Sequence, residues 1–292
     1  MVYLKLVLTT LIWGATFPVG RYAAQAGAPL AVAEWRFAIA AACLMALLAR
    51  REGLAPPRGD AARLALALGF TGVFAYNVCF FFGLSLVPAS RAALIVALNP
   101  VLVALAAAAF QGQRLGAARW LGVAVSLLGA ALVISRGELA ALVAHVGAGE
   151  AIVFASSLAW SAYTLLGRDA ARHFSPLAST AWGALAGALM LLPPALWEGR
   201  MLATLASGPA MWLALLHLGV LATLLAFLWY AEGVKAIGPT RTVVFTNLVP
   251  VFAVLIGVLM LGEELLWSMV AGGLLVGAGV WLTNRPARRA GM

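Results

Sequence analysis

Residues 90–105, SRAALIVALNPVLVAL, return 150 positions later as residues 240–255, TRTVVFTNLVPVFAVL. Arg91/Arg241, Leu98/Leu248, Pro100/Pro250, Val101/Val251 and Leu105/Leu255 are identical. Outward from this core the match runs without a gap from 83–132 to 233–282, adding Gly83/Gly233, Gly112/Gly262, Leu115/Leu265, Gly122/Gly272, Gly129/Gly279 and Leu132/Leu282. Leucine pairs count for little in a chain this apolar, but Arg, Pro and Gly pairs fix charge and backbone geometry. Upstream the shift becomes 147, pairing Trp13/Trp160, Ala15/Ala162, Gly20/Gly167, Arg21/Arg168, Pro29/Pro176 and Trp35/Trp182. A loop between positions 182 and 233 absorbs the difference. The chain therefore reads as two halves of one plan, 1–140 and 141–292.

Hydrophobic residues make up 64% of the chain and charged residues 10%, with a mean hydropathy of +1.01. That balance belongs to the membrane class. A crossing helix needs about 20 apolar residues. Ten such runs are expected, at 3–23, 30–49, 64–86, 90–110, 117–135, 150–167, 176–196, 210–233, 240–261 and 265–284. Barrel strands would alternate over roughly 10 residues, whereas these runs are long and apolar all round. The expected fold is all-α, with ten transmembrane helices as two five-helix repeats. Because five is odd, the second half enters the bilayer from the opposite side, so the repeat is inverted, as in many secondary transporters.

The net charge of +9 serves topology. With a cytoplasmic N-terminus, Lys5, Arg50, Arg51, Arg58, Arg63, Arg114, Arg119, Arg168, Arg172, Lys235, Arg241, Arg285, Arg288 and Arg289 lie inside. Arg21, Arg91, Arg136 and Arg200 lie outside, and Arg36 falls within the second span. Fourteen against four places both termini in the cytoplasm and argues against nucleic acid as a partner. Ala24-Gln25-Ala26 imitates a signal cleavage site, yet Trp13, Arg21 and Pro29 have counterparts in the second half, so the segment is expected to be retained. Cys43 and Cys79 both lie in spans and make no disulfide framework or metal spacing.

In the fourth and ninth spans, Ser90-Arg91 and Thr240-Arg241 stand where an N-cap is favoured. Pro100 and Pro250 follow, each removing a donor and freeing a carbonyl, at Val96 and Thr246. Together with Pro18 they are the expected hinges. Gly122, Ser126 and Gly129 in the fifth span, and Gly272, Gly273, Gly277 and Gly279 in the tenth, suit close helix packing, as scaffold or as a dimer seam.

Aromatic and polar residues inside spans mark where a solute would sit: Trp13, Tyr76, Asn77, Phe80, Asn99, Trp160, Tyr163, Phe227, Tyr230 and Asn247. Thr16, Ser156, Ser157, Ser161, Thr164, Thr242 and Thr246 lie among them. Such a lining suits a neutral amphipathic molecule. Trp197, Trp267 and Trp281, near span ends, read as interfacial anchors. The coupling candidates are Glu34, Arg36, His217 and Glu232. Glu34 and Arg36, two apart, do not face each other. Arg36 either attracts a carboxylate, holds Glu34 through another helix, or snorkels outward, the last being favoured. Glu232 is expected to pair locally with Lys235. No Walker motif, metal-ligand cluster or catalytic constellation is present, so an enzyme is not expected and no cofactor is called for.

Leu11-Ile12-Trp13-Gly14 with Pro18, Trp35-Arg36-Phe37, Ala75-Tyr76-Asn77, Asn99-Pro100, Trp160-Ser161-Ala162-Tyr163, and Pro250 followed by Gly262-Glu263-Glu264 together resemble the drug/metabolite transporter superfamily, specifically its ten-helix proteins with two EamA domains. The resemblance covers essentially the whole chain. It implies a multi-pass protein of the bacterial inner membrane, a monomer or weak homodimer in the lipid bilayer. It further implies export of small organic solutes, amino acids and their analogues among them. The Tyr76 and Trp160/Tyr163 segments are similar to those of aromatic amino-acid exporters. A nucleotide-sugar or phosphorylated-metabolite antiporter keeps the fold but calls for more cations in the cavity. A membrane-embedded assembly protein is the third reading.

Overall fold

The computed structural model describes residues 2–111, 116–138, 147–237 and 245–284. Thr240, Arg241, Thr242, Arg114, Arg285, Arg288, Arg289 and the boundary drawn at 140/141 lie outside the described residues, as do the side chains of Arg168, Lys235 and Asn247. Every regular element described is helical. The helices are α1 (Val2–Ala26), α2 (Pro29–Arg51), α3 (Asp60–Leu86), α4 (Ala89–Val96), α5 (Asn99–Gln111), α6 (Ala117–Ile134), α7 (Ala148–Ala170), α8 (Pro176–Trp197) and the short α9 (Met201–Leu205). There follow α10, in three parts (Pro209–Leu216, His217–Leu225, Ala226–Ile237), α11 (Val249–Leu261) and α12 (Trp267–Asn284).

Local chemistry sets these boundaries. Pro29, Pro176 and Pro209 open α2, α8 and α10 in the first turn, where a missing N–H costs nothing. Ser175 caps α8 by accepting from Ala178 N at 3.0 Å. Gly262, at φ 63° and ψ 29°, closes α11 in the left-handed conformation that glycine adopts without strain. Six described stretches are long and apolar enough to cross a membrane: α1, α2, α3, Ala89–Ala106, α8 and Pro209–Tyr230. The helices Ala117–Val133, Val249–Leu261 and Trp267–Leu282 are apolar but shorter.

Two expectations are corrected. Pro100 does not kink a continuous helix: α4 ends at Val96, residues 97–98 form a turn, and Pro100 sits in the first turn of α5. Pro250 likewise falls in the first turn of α11, behind a 3₁₀ turn at Phe245–Leu248. A ring that would clash four residues back is better accommodated by ending one helix and starting another. Nor is Ser90 an N-cap; Pro88 occupies that position, and the Ser90 hydroxyl bonds Glu263 instead.

The principal contacts come in matched sets. α1 packs on α10 and α11, as α7 packs on α3, α4 and α5; α2 packs on α8, and α6 on α12; α2 also lies against α10, as α8 lies against α3. Both α3 and α10 widen into π-helix, at Gly69–Ala75 and His217–Leu225. Each π-segment has a glycine against a neighbouring backbone. A Cβ on Gly69 would lie 2.9 Å from the Gly183 carbonyl oxygen, and one on Gly219 would lie 2.9 Å from that of Arg36. The α6/α12 glycines meet within the chain: a Cβ on Gly129 would be 2.6 Å from Gly272 O, and one on Gly279 would be 2.5 Å from Gly122 O. This is the close backbone approach that small residues permit, and it makes α6/α12 a scaffold.

Candidate functional site

α1 carries Trp13 and Phe17 one turn apart, so both rings leave the same face. Trp13 meets Phe227 (ring centroids 5.5 Å) and Tyr230 (5.4 Å) of α10, and its indole donates to the Ala222 carbonyl at 3.0 Å, within the π-segment. Phe17 meets Phe80 (5.3 Å), which stacks on Tyr76 (5.4 Å). Tyr76 meets Trp160 (5.3 Å), and Trp160 meets Tyr163 (5.0 Å) on α7. Seven of the ten expected lining residues thus fall into two aromatic clusters drawn from both halves, Trp13 with Phe227 and Tyr230, and Phe80 with Tyr76, Trp160 and Tyr163; one turn of α1 backbone, from Trp13 to Phe17, joins them into a string, and Phe17 is a residue that composition did not reveal. Offset and edge-on aromatic pairs each add about 0.5–1.5 kcal/mol beyond area burial.

Asn77 belongs to an adjacent polar knot. Arg36, 8% exposed, donates from Nη1 to Asn77 Oδ1 at 3.1 Å and from Nε and Nη2 to Thr223 Oγ1 at 3.4 Å. Its guanidinium lies 5.1 Å from the Phe37 ring centroid and 5.9 Å from that of Phe81. Arg36 does not snorkel outward, contrary to expectation: bonds to neutral oxygens on α3 and α10, and two aromatic faces, hold it inside. Glu34 points elsewhere, as the two-residue spacing demanded. It lines a cavity of about 340 Å³ between α2 and α8, and its Oε2 is buried without a partner among the described residues.

Asn99 stands apart from the string, its Oδ1 buried without a protein partner, and the Asn247 side chain lies outside the described residues. His217 Nε2 donates to the Ile12 carbonyl at 3.2 Å, at a second cavity of about 410 Å³ bordered by the exposed Leu259 and Met260. Glu232 takes Lys5 Nζ at 2.6 Å, while the side chain of Lys235, its expected local partner, lies outside the described residues. Pro18 is buried inside α1.

Three carboxylates to which the sequence alone assigns no role tie helix ends together. Glu263 receives Arg21 Nη1 (2.8 Å) and Ala89 N (2.7 Å) on one oxygen, and Ser90 N (3.0 Å) and the Ser90 hydroxyl on the other. It thereby satisfies the free N–H groups opening α4, where the helix dipole also favours a negative charge. Glu150 receives Arg91 Nη1 at 2.6 Å, with side chains 8% and 6% exposed. Glu198 accepts from Leu30 N (3.3 Å) and Ala31 N (2.8 Å) at the start of α2. In each case the carboxylate comes from the second half and the partners named here from the first, while the other oxygen of Glu150 accepts from Gly147 N at 3.1 Å at the start of its own helix. The opposite helix ends are joined by more exposed contacts, Lys5–Glu232 and Ser175–Glu52. The signal that would have found the carboxylates was topological: the assigned span orientations put Arg21, Arg91, Glu150, Glu198 and Glu263 at one membrane face.

Long apolar helices, buried polar groups and paired packing define a multi-pass membrane protein. The chain belongs to the EamA-like transporter family, which it matches over residues 1–135 and again over 147–285. It is 30% identical over 282 residues to the uncharacterized transporter YyaM of Bacillus subtilis, covering 96% of this chain and 92% of that protein. It is 29% identical to a probable terminal-alkyne amino-acid exporter of Streptantibioticus cattleyicolor, at the same coverage of each chain. A crystal structure with 24% identity superposes with a TM-score of 0.65, over 99% of this chain and 98% of that one, and agrees in fold.

Proposed function

We propose that this protein is a secondary exporter of small amphipathic metabolites, with aromatic or neutral amino acids and their analogues as its substrates. The observation that carries the reading is the aromatic string from Tyr230 to Tyr163, contributed by α1, α3, α7 and α10. In this reading the halves 1–140 and 141–292 are inverted five-helix repeats, the termini are cytoplasmic and the membrane is the bacterial inner membrane. The matched helix contacts and equivalent π-segments support the two-fold plan. The amino-acid exporter relative supports the substrate class.

Under that topology Glu150, Glu198 and Glu263 close the periplasmic end, and substrate reaches the aromatic string from the cytoplasm. Opening outward then requires breaking the clasps while the rings part. Buried ion pairs hold one end and exposed ones the other, an asymmetry suited to a resting state shut toward the outside. Among the described residues Arg36 is the one cation buried without a carboxylate partner, too few for a nucleotide-sugar cargo. Efflux of labelled Phe, Trp and Thr from proteoliposomes, with solute competition and with and without a pH gradient, tests the assignment. Transport of none of the three refutes it.

A further inference from the structure

We infer that Arg36 recognises the carboxylate of the transported molecule, so the substrate is an acid or amino acid rather than an amine or neutral solute. This deepens the exporter reading and rests on it. Arg36 lies seven residues into α2, about 10 Å along the helix at 1.5 Å per residue. A guanidinium has five N–H donors. One each from Nε, Nη1 and Nη2 is engaged, leaving one N–H on each terminal nitrogen without an acceptor among the described residues. No carboxylate lies within 4 Å of it among those residues. A lone cation in an apolar interior is costly, and an arriving anion removes that cost.

The two neutral partners are themselves fixed as acceptors. Asn77 spends an amide N–H on Val73 O at 2.7 Å, which turns its Oδ1 to Arg36. Thr223 spends its hydroxyl hydrogen on Leu218 O at 2.8 Å, leaving only its oxygen lone pairs for the guanidinium. Thr223 lies inside one π-segment and Asn77 stands two residues past the end of the other. π-Helix turns recur at functional sites. The guanidinium is thus held by acceptors from both halves, and the N–H left on each terminal nitrogen is a charged donor available to a carboxylate. Phe81, beneath it, touches Phe80 at 5.4 Å, and Phe80 belongs to the aromatic string. A molecule with its apolar part on those rings brings its acid group toward Arg36.

The test compares matched acids and amides on purified full-length protein, reading thermal stabilisation by phenylacetate against phenylacetamide and by L-phenylalanine against L-phenylalaninamide. Wild type should respond to the acids at least about tenfold more strongly, the scale of one charge-assisted hydrogen-bond pair. Asn77→Asp places a carboxylate against the guanidinium in advance. That variant should melt at the wild-type temperature or above yet lose the acid response by about tenfold or more. If Arg36 merely braces the two π-segments, Asn77→Asp keeps the wild-type acid response, and the proposal falls. It also falls if wild type answers acids and amides alike, or neither. Efflux from wild-type proteoliposomes is scored separately: export of solutes that lack a carboxylate keeps the exporter and removes this role of Arg36.

Discussion

Glu263→Gln should unlatch one end of the molecule while leaving its helices in place. The carboxylate takes four donors, Arg21 Nη1 and Ala89 N on one oxygen, Ser90 N and the Ser90 hydroxyl on the other. Glutamine keeps one acceptor oxygen and turns the other into a donor, so one backbone N–H of α4 loses its partner, at about 1–3 kcal/mol. Bonds kept from the neutral donors Ala89 N, Ser90 N and the Ser90 hydroxyl fall from charge-assisted to neutral, about half as strong. Because Arg21 keeps 23% of its side-chain exposure, part of its loss is recovered from water. The balance is about 2–4 kcal/mol. If the clasp exists only when that end is shut, the open population rises about 30- to 700-fold, at 1.4 kcal/mol per factor of ten. A reporter cysteine at Ala93, 1% exposed and one turn below Ser90, in a chain lacking Cys43 and Cys79, reads this change. Labelling by an impermeant maleimide in oriented vesicles should accelerate at least about 30-fold in Glu263→Gln. Glu232→Gln, which breaks an exposed pair worth at most about 1 kcal/mol, should change it less than about fivefold. Equal rates in wild type and Glu263→Gln, with the melting temperature preserved, would refute the latch.

Glu150→Ala should destabilise the protein by about 3–5 kcal/mol, since it strands the buried Arg91; a thermal double-mutant cycle with Arg91→Met should recover much of that loss. Gly72→Ala puts a Cβ 2.3 Å from the Tyr163 ring, so it should cut amino-acid efflux at least about tenfold by displacing Tyr163 from Trp160, while circular dichroism retains the helical signal. Glu34→Gln replaces a buried carboxylate with an unpartnered oxygen by a neutral amide. It should leave stability unchanged or raise it by about 1–3 kcal/mol, and it should abolish any acceleration of efflux by a pH gradient; persistence of that acceleration removes Glu34 from coupling.

What could be read from the chain beforehand follows from the range of each interaction. Apolar runs and proline positions act locally, so the helices appear close to where their runs stand, with Pro29, Pro176 and Pro209 marking three starts. Whether Pro100 bends a helix or begins one depends on a turn at 97–98 that composition does not specify. The π-segments leave no compositional mark beyond Gly69 and Gly219, whose need for space appears only when the opposing backbone is in place. Arg36 was misjudged because the acceptors that keep it inside are 41 and 187 residues away. Glu263 was quoted as part of a motif without a role, because its four donors lie in the other half.

The duplication also locates the specificity. Under the two shifts Arg36 corresponds to Gly183, Asn77 to Phe227 and Thr223 to Val73, so the polar knot has no second copy although the backbone cradle beneath it does. Gly183 makes against Gly69 the same approach that Arg36 makes against Gly219. A second arginine there would put another cation into the same interior, and like charges in a low-dielectric region repel strongly. Repeated backbone geometry can serve two alternating states, because each state uses both copies. If the substrate carries one acid group, as proposed, one guanidinium held by acceptors from both halves suffices for it, and it can stay with that group as the surrounding helices exchange arrangements.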